Sequence, residues 1–273
     1  MHIILGGTGH VGSHLAKILK DKGEKVLVVT HDANKTENLE AQGYEVAVVD
    51  IYNSNALRKV MNFSQRAFIL NPPANPSTDT DKEEHKTVNS IVEAVDGSTL
   101  RKLVVASTYG AQPIDRAGDL GVLYNLEQKL QKLPIPVSII RSAYYMSNWD
   151  IQLQEIQKNS TLTTLFEPNL KLPMVAPQDI AKLAATLMLQ PIEHTEEHSL
   201  AAFEEYSSND VADAFSFALN RTVNVNSIRE DEWINYYQKI GFSKLAAESY
   251  AKMTKIVATE QYIKPKNPTY GET

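Results

Sequence analysis

The sequence predicts an α/β fold, in which a doubly wound parallel sheet is followed by a smaller C-terminal α/β region. Two observations predict it. Short runs of apolar, β-branched residues alternate with amphipathic stretches along the first 140 residues, which is typical of parallel strands covered by helices on both faces. In addition, the glycine-rich segment Gly6-Gly7-Thr8-Gly9-His10-Val11-Gly12 follows the first apolar run and opens the first amphipathic stretch.

Six strands and five helices are predicted in this part of the chain. In the first helix Val11, Leu15, Ile18 and Leu19 share one face, and Gly23 ends the helix because glycine adopts a left-handed conformation at no steric cost. The predicted strands are His2–Leu5, Lys25–Thr30, Glu45–Val49, Ala67–Leu70, Lys102–Ala106 and Pro136–Ile140, and the later helices are Lys35–Gln42, Asn55–Asn62, Lys82–Val95 and Leu120–Lys132.

The alternation is less regular after Arg141. We expect residues 1–145 to form the large domain, with the elements near 177–203 returning to it, and residues 146–176 and 204–273 to form the smaller region. Ser208 or Asn209 should cap one helix of that region and Ser243 another, and the tail 264–273 should be mobile. The predicted elements are Pro177–Leu189, His198–Phe203, Asn209–Leu219, Thr222–Ile228, Asp231–Lys239 and Lys244–Gln261.

The composition excludes several classes of protein. The 273 residues contain no cysteine, which excludes disulfide scaffolds, thiolate metal sites and cysteine nucleophiles. The net charge of −6 disfavours direct nucleic-acid binding, which needs a basic face. No apolar run approaches the roughly 20 residues that span a bilayer, and the apolar N-terminus is too short for a signal peptide. We therefore expect a soluble, cytoplasmic monomer or homodimer that binds neither membranes nor nucleic acids.

The glycine segment predicts a dinucleotide-binding Rossmann domain, because it lies between a strand and a helix and fits G-x-G-x-x-G from Gly7. Glycines let backbone amides approach a pyrophosphate, and the following helix N-terminus adds a partial positive charge. A glycine-rich turn without a ligand is the alternative interpretation. The predicted cofactor contacts in this segment are Gly6, Thr8, Gly9, His10, Val11 and Gly12.

The residues after the second strand favour NADP, with NAD possible. An acidic residue at this point would bind the ribose 2′-hydroxyl and repel a 2′-phosphate. Here Thr30, His31 and Lys35 form a group suited to a phosphate, whereas Asp32 favours NAD. The alternative is that His31 and Lys35 are solvated loop residues.

Segments along nearly the whole chain resemble the NmrA-like family of atypical short-chain dehydrogenases/reductases, which includes NAD(P)H:quinone reductases and NADP-sensing regulators. The segments that carry the resemblance are Gly6–Gly12, Asp50-Ile51, Phe68–Pro73, Val104–Ala111, Leu126–Arg141, Tyr145–Trp149 and Val175–Ala181. The sequence departs from the family at His31, where arginine is frequent, and at Ser142, where proline is frequent.

The resemblance implies further cofactor contacts. Asp50 and Ile51 would flank the adenine, Asn71-Pro72-Pro73 would pass the cofactor ribose, and Ser107 and Thr108 would lie beneath the nicotinamide. Near that end of the site we predict flat or soft side chains that hold a small planar redox substrate, with core packing as the alternative. These candidates are Tyr109, Tyr144, Tyr145, Met146 and Trp149.

The sequence lacks the Tyr-x-x-x-Lys pair of short-chain reductases where the resemblance places it, since Tyr124 is followed by Gln128. We attribute the match at Tyr262–Lys266 to chance, and we expect no metal site at His194-Thr195-Glu196-Glu197-His198, which lacks a supporting helix. The catalytic residues therefore stay unknown. We expect an NAD(P)H-dependent oxidoreductase that passes hydride to quinone-like acceptors, because such acceptors need positioning more than an acid. The alternative is a non-catalytic NADP-sensing regulator that binds a partner protein.

Overall fold

An eight-stranded parallel sheet forms the centre of the computed structural model, which describes residues 1–262, 264–265 and 267–272. Its strands lie in the order β13-β10-β6-β5-β4-β1-β2-β3, so that the first six strands have the doubly wound order 3-2-1-4-5-6. These strands are β1 (His2–Leu5), β2 (Val26–Thr30), β3 (Glu45–Val48), β4 (Arg66–Ile69), β5 (Lys102–Thr108), β6 (Val137–Ser142), β10 (Glu197–Ala201) and β13 (Thr269–Tyr270).

Helices cover both faces of this sheet. Alternate residues of one strand point to opposite faces, so Ile4 packs with α1 and α7 while Ile3 and Leu5 pack with α3, α4 and α5. Both faces are buried, which explains why the strands are apolar without alternation. The covering helices, with α2 at the edge, are α1 (His10–Asp21), α2 (Thr36–Ala41), α3 (Ser54–Met61), α4 (Thr80–Val95), α5 (Asp119–Leu130) and α7 (Pro177–Leu189). The predicted fold class is confirmed.

The remaining elements build a smaller region with its own hydrophobic core around Trp149, Leu162 and Met174. One sheet has the order β11-β9-β7 and another pairs β12 with β8. The helix α7 and the strand β10 return to the large sheet, and so does β13, although it lies within the range 204–273. The division of the chain into two regions stays a prediction. The elements of the region are β7 (Tyr144–Tyr145), α6 (Leu153–Asn159), β8 (Thr161–Thr164), β9 (Leu172–Val175), β11 (Glu205–Tyr206), α8 (Ser208–Leu219), β12 (Asn224–Ser227), α9 (Trp233–Lys239) and α10 (Lys244–Ala258).

Local sequence signals placed the helix ends to within a few residues. Gly23 follows α1 with φ +83°, as expected, and the Ser243 hydroxyl caps α10 by accepting the Ala246 N–H at 3.1 Å. The predicted cap of α8 was wrong. Ser207 caps this helix, and its reciprocal hydrogen bonds with Asp210 form a capping box. None of the described helices has both the length and the apolar character needed to cross a membrane.

The C-terminal tail differs from the expected mobile segment. Thr269 and Tyr270 form β13, which pairs in parallel with Leu200 and Ala201 at the edge of the large sheet. Lys182 on α7 adds an ion pair to Glu272 at 2.6 Å. Backbone pairing with a strand edge depends weakly on side-chain type, so the tail sequence carries no signal for it.

Gly12 brings α1 against the loop that precedes it. A Cβ atom at this position would lie 2.7 Å from Gly7 Cα and would overlap the Gly6 carbonyl group. We predict that Gly12→Ala lowers the free energy of unfolding by about 1–3 kcal/mol, because this overpacking outweighs the roughly 1 kcal/mol of helix propensity that alanine adds. Urea denaturation measures the change.

Gly9→Ser is the matched control. A Cβ at Gly9 meets only the Gly6 carbonyl oxygen at 3.4 Å, and serine is a favoured residue at this N-cap position. The control should keep wild-type stability within about 0.5 kcal/mol. Equal stability of the two variants would contradict the proposed role of Gly12.

Candidate functional site

The predicted cofactor residues come together at the carboxyl edge of the large sheet. Strands β3, β2, β1, β4, β5 and β6 are parallel neighbours, so the loops that follow them lie side by side. In doubly wound sheets ligands bind at this edge. The loops carry the glycine segment 6–12, the segment 30–35, Asp50 with Ile51, the segment 71–73 and Ser107 with Thr108.

The glycine segment forms a tight turn with an open outer side. Gly6 has φ +69° and its carbonyl accepts the Gly9 N–H at 3.0 Å, which aims the segment into α1. Gly9 and His10 are exposed, and the first turn of α1 has no acidic residue. The open space next to Gly9 is thus bordered by a helix N-terminus, which suits an anionic group such as a pyrophosphate.

Lys35 reaches the glycine segment from the second loop. Its ammonium nitrogen lies 3.5 Å from the hydroxyl oxygen of Thr8. Asp32, the residue that favours NAD, directs its carboxylate to the Asn34 N–H at 3.0 Å and caps the 3-10 turn Ala33–Lys35. Thr30 accepts the Asp32 N–H at 3.1 Å, and His31 is exposed. A cation therefore lies beside the glycine segment, whereas the acidic group is used within its own loop.

The loops after β3 and β4 are held by hydrogen bonds, and the second of them carries a hydrogen-bond acceptor without a partner among the described residues. The Asp50 carboxylate accepts the Tyr52 N–H at 3.0 Å, and the Ile51 carbonyl accepts the Ser90 hydroxyl at 2.6 Å. Both bonds hold the backbone of the loop. The Asn71 amide oxygen is buried and has no hydrogen-bond partner among the described residues. Because buried polar atoms are normally paired, this oxygen can accept a bond from a ligand.

Ser107 at the end of β5 belongs to a buried polar network. Its hydroxyl donates to Glu127 of α5, and the Arg141 guanidinium donates to the same carboxylate at 2.6 and 3.0 Å. Arg141 also pairs with Glu197 at 2.8 Å. Glu127 is fully buried, and its contact raises the pKa of Arg141. The network joins β5, β6, β10 and α5.

The predicted substrate residues fall into two groups. Tyr109 follows β5, and its buried hydroxyl has no partner among the described residues; burial raises its pKa. Tyr145 follows β6 at the same edge, and burial raises its pKa to about 12. In contrast, Trp149 is 5% exposed and packs with Tyr144 and Met146 in the core of the smaller region, its ring 5.8 Å from that of Tyr144. Their role in substrate binding stays a prediction.

Three residues that the sequence did not single out, Glu84, Asp119 and Tyr250, interact with one another. Glu84 of α4 is 1% exposed; one carboxylate oxygen accepts the Ala74 N–H at 3.0 Å, and the other has no partner among the described residues. Burial and the charge of Asp119, the first residue of α5, raise the Glu84 pKa to about 7. Tyr250 of α10 interacts with both carboxylates. Glu84 follows the helical spacing of the buried Thr87, Val88 and Ile91, and this placement is the signal that could have identified it.

The helix α10 is hydrogen-bonded to two loops, one that precedes α5 and one that precedes α4. The Ser249 hydroxyl accepts the Gly118 N–H at 3.0 Å, and the Lys252 ammonium donates to the Asp115 carbonyl at 2.6 Å. At the start of α10, the Ser243 N–H donates to the Pro76 carbonyl at 2.8 Å. Tyr250 of the same helix packs its ring against the rings of Tyr237 and Phe242.

Two further motifs lie away from this cleft. His194 and His198 both hydrogen-bond to the Glu196 carboxylate, which lowers its pKa to about 2. Across the described part of the chain no group of three or more acidic or histidine side chains is arranged to hold a metal. Of the match at Tyr262–Lys266, Lys266 is outside the described residues. A surface cavity of about 540 Å³ lies at the opposite edge of the sheet, next to His2 and Arg66.

The strand order, the glycine turn and the helix N-terminus define a dinucleotide-binding protein of the Rossmann class. The NmrA-like family model matches residues 2–271, and the chain belongs to this family.

Sequence and structure comparisons give three informative similarities. An NAD(P)H azoreductase of Xenophilus azovorans is 23% identical over 225 residues, which cover 82% of this chain and 75% of that protein. The triphenylmethane reductase of a Citrobacter species is 17% identical with a TM-score of 0.79, covering 97% of this chain and 91% of its own. An NADPH-dependent quinone oxidoreductase of Escherichia coli, in complex with NADPH, is 15% identical with a TM-score of 0.75, covering 95% and 89%. At these identities the solved structures show a shared fold.

We predict that the protein loses much of its stability when the Arg141 guanidinium is removed from the buried network. Arg141→Met should lower the free energy of unfolding by about 3–5 kcal/mol, because it leaves the buried Glu127 carboxylate without its partner. Chemical denaturation measures the loss.

The double variant Glu127→Leu/Arg141→Met is the control, because it removes both charges. It should be more stable than Arg141→Met alone, since no uncompensated charge remains in the core. The single variant Glu127→Leu completes the comparison. If the double variant loses as much free energy of unfolding as the two single variants lose together, Glu127 and Arg141 act independently.

Proposed function

We propose that the protein is an NADPH-dependent oxidoreductase that delivers hydride to planar, quinone-like acceptors. One observation carries the proposal: the open side of the glycine turn, with the Lys35 ammonium beside Thr8, lies at the same carboxyl edge of the sheet as Tyr109 and Tyr145, which follow β5 and β6. A dinucleotide laid along this edge would have its charged end at the cation and its other end near the two tyrosines.

The residues at the edge fit such a cofactor. Gly9 leaves space for the pyrophosphate, and the buried Asn71 oxygen accepts a hydrogen bond that the protein does not supply. Bound NADPH supplies a hydride. The role of this chain is to bind and orient it, and the network of Ser107, Glu127 and Arg141 keeps the backbone of β5 and β6 in place beneath it.

NADP is favoured over NAD by the charges at the second loop. The Lys35 ammonium can pair with a 2′-phosphate, and His31 is exposed beside it. One oxygen of the Asp32 carboxylate accepts the Asn34 N–H and so holds the turn. NAD stays possible because Asp32 lies in the same loop, where an acidic residue favours a ribose 2′-hydroxyl.

The names of the related proteins support a reductase of planar aromatic acceptors. They are an azoreductase, a triphenylmethane reductase and a quinone oxidoreductase, and they share the fold across most of their length. Gln128 replaces the usual lysine one turn after Tyr124, so the standard proton donor is absent from α5. This absence also motivates a second candidate function, a non-catalytic NADP-binding regulator that contacts a partner protein.

The two functions are separated by NADPH oxidation with a panel of quinones, followed at 340 nm, together with calorimetric titration of NADPH. The enzyme predicts turnover with at least some members of the panel. The regulator predicts NADPH binding without turnover of any of them. Gly9→Val should abolish both binding and turnover, because its side chain would fill the space for the pyrophosphate. A folded Gly9→Val variant with wild-type NADPH affinity would overturn the cofactor site itself.

Cofactor selection gives the next prediction. Lys35→Ala should weaken NADPH binding about tenfold or more and leave NADH binding almost unchanged, because it removes one charge-assisted contact to the 2′-phosphate. His31→Asp should lower the preference further by adding repulsion. The ratio of the dissociation constants for NADPH and NADH, measured by calorimetry, is the readout.

Lys22→Ala is the matched control for Lys35→Ala, because it removes one exposed positive charge at the opposite end of α1. It should keep the wild-type ratio. If Lys35→Ala and His31→Asp also keep it, the phosphate is not held by this loop.

A further inference from the structure

The amino ends of four strands surround a surface cavity that the proposed function does not use. Its volume is about 540 Å³, within the range of roughly 300–1,000 Å³ that is usual for small-molecule sites. His2 and Arg66 begin β1 and β4, Glu24 and Thr99 shortly precede β2 and β5, and all four residues line the cavity. Because these strands are parallel, the cavity lies at the edge of the sheet opposite to the glycine turn. It is therefore separate from the predicted cofactor residues.

Hydrogen bonds hold the wall of the cavity that residues 62–66 form. The Ser64 hydroxyl donates to the Met1 carbonyl at 2.6 Å and accepts the Arg66 N–H at 3.0 Å. The Asn62 amide oxygen accepts the Thr99 N–H at 2.9 Å, which ties this wall to the segment before β5. A wall that is ordered before binding lowers the entropic cost of holding a ligand.

Arg66 presents one edge of its guanidinium without a partner. Its Nη1 atom donates to the Met188 carbonyl and, at 2.6 Å, to the Gln190 carbonyl, both at the end of α7. Its Nε and Nη2 atoms have no hydrogen-bond partner among the described residues, and they stay accessible to solvent. These two nitrogens form the edge of a guanidinium that can donate to both oxygens of one carboxylate. Arg66 is thus a free anion-binding group on the cavity wall.

Glu24 limits the charge that the cavity accepts. Burial lowers the pKa of His2, and the charge of Arg66 lowers it further, so the imidazole is neutral at pH 7. His2 Nε2 donates to the Glu24 carboxylate at 3.0 Å and leaves its negative charge in place. A ligand with one negative charge can pair with Arg66, whereas Glu24 would repel a second negative charge.

Two large apolar side chains line the same cavity. Phe63 is 69% exposed and Leu189 is 37% exposed. An aromatic ring that packs against Phe63 would bury apolar surface of both partners, and aromatic pairs add a further attraction beyond this burial. The cavity therefore combines one anion-binding group with a surface for an aromatic ring.

We propose that this cavity binds an aromatic monocarboxylate. The Nε and Nη2 atoms of Arg66 hold the carboxylate, and Phe63 and Leu189 contact the ring. Glu24 excludes ligands that carry two negative charges. The cavity is at the opposite edge of the sheet from the glycine turn, so the inference goes beyond the proposed function and does not depend on it.

Three small probes test the proposal. They are 3-phenylpropionate, its uncharged analogue 3-phenylpropanamide, and 2-phenylethyl phosphate, which carries close to two negative charges at pH 8. Binding of each to the whole chain is measured by ligand-observed NMR titration, with and without saturating NADPH. We expect 3-phenylpropionate to bind about tenfold more tightly than either other probe. NADPH should not displace it, because the dinucleotide is expected at the other edge of the sheet.

Arg66→Lys tests the anion-binding group. Lysine keeps the positive charge but lacks the edge with two nitrogens, so the preference for 3-phenylpropionate over the amide should fall about fivefold. Glu24→Gln keeps an acceptor for His2 and removes the charge. It should raise the affinity for 2-phenylethyl phosphate about threefold and thereby narrow the selection against that probe.

Phe63→Ser tests the contact with the ring, and it guards against a fold defect in Arg66→Lys because Phe63 is largely exposed. It should weaken the acid and the amide alike, by about threefold to fivefold, and leave their ratio unchanged. Phe217→Ser is the matched control, since Phe217 is a 91% exposed phenylalanine on α8, outside the cavity. It should keep all wild-type affinities.

The opposite results overturn the proposal. Equal affinities for the acid and the amide would show that the cavity does not select a carboxylate, and displacement of the acid by NADPH would place it at the cofactor edge. Wild-type affinities in both Arg66→Lys and Phe63→Ser would show that the acid binds elsewhere. Phosphate binding as tight as that of the acid would overturn the monocarboxylate class. Absence of NADPH-driven quinone reduction bears on the proposed function alone.

Discussion

The close approach of α1 to the glycine turn is the constraint on which the rest of the structure depends. Gly12 lies against Gly6 and Gly7 without space for a side chain, so the helix begins directly behind β1. The buried face of α1 then packs with α7 and with the core of the sheet. Because the same turn leaves Gly9 open to the outside, one steric condition sets both the packing of the large domain and the position of the predicted pyrophosphate site.

Charged residues of both signs lie in the loops and helices at the carboxyl edge of the sheet. Lys35 lies at one end beside Thr8, and Glu84 with Asp119 lies at the other end beneath α10. Between them the Glu127–Arg141 pair is balanced internally and contributes order rather than net charge.

Much of the fold could be predicted because its signals are local. Two-sided burial makes β1 and β5 apolar throughout, and Gly23 and Ser243 mark helix ends by their own conformational and hydrogen-bonding properties. The short strands β7, β9 and β13 were missed because two to four residues carry too little pattern, and their pairing is decided by which backbone edge is nearby. Trp149 is predicted from its type and from the family resemblance as a substrate residue, with core packing as the alternative, and its neighbours in space are core residues.

The sequence by itself determined the parallel sheet, the glycine turn and the set of loops that could meet a dinucleotide, since periodicity and glycine spacing act over a few residues. Only the tertiary structure decided that the Asp32 carboxylate is used within its own turn, that Lys35 meets Thr8, and that Glu84 lies beside Asp119. The physical reason is distance along the chain. Charges on separate helices interact through space, and burial changes their protonation in a way that no local pattern records.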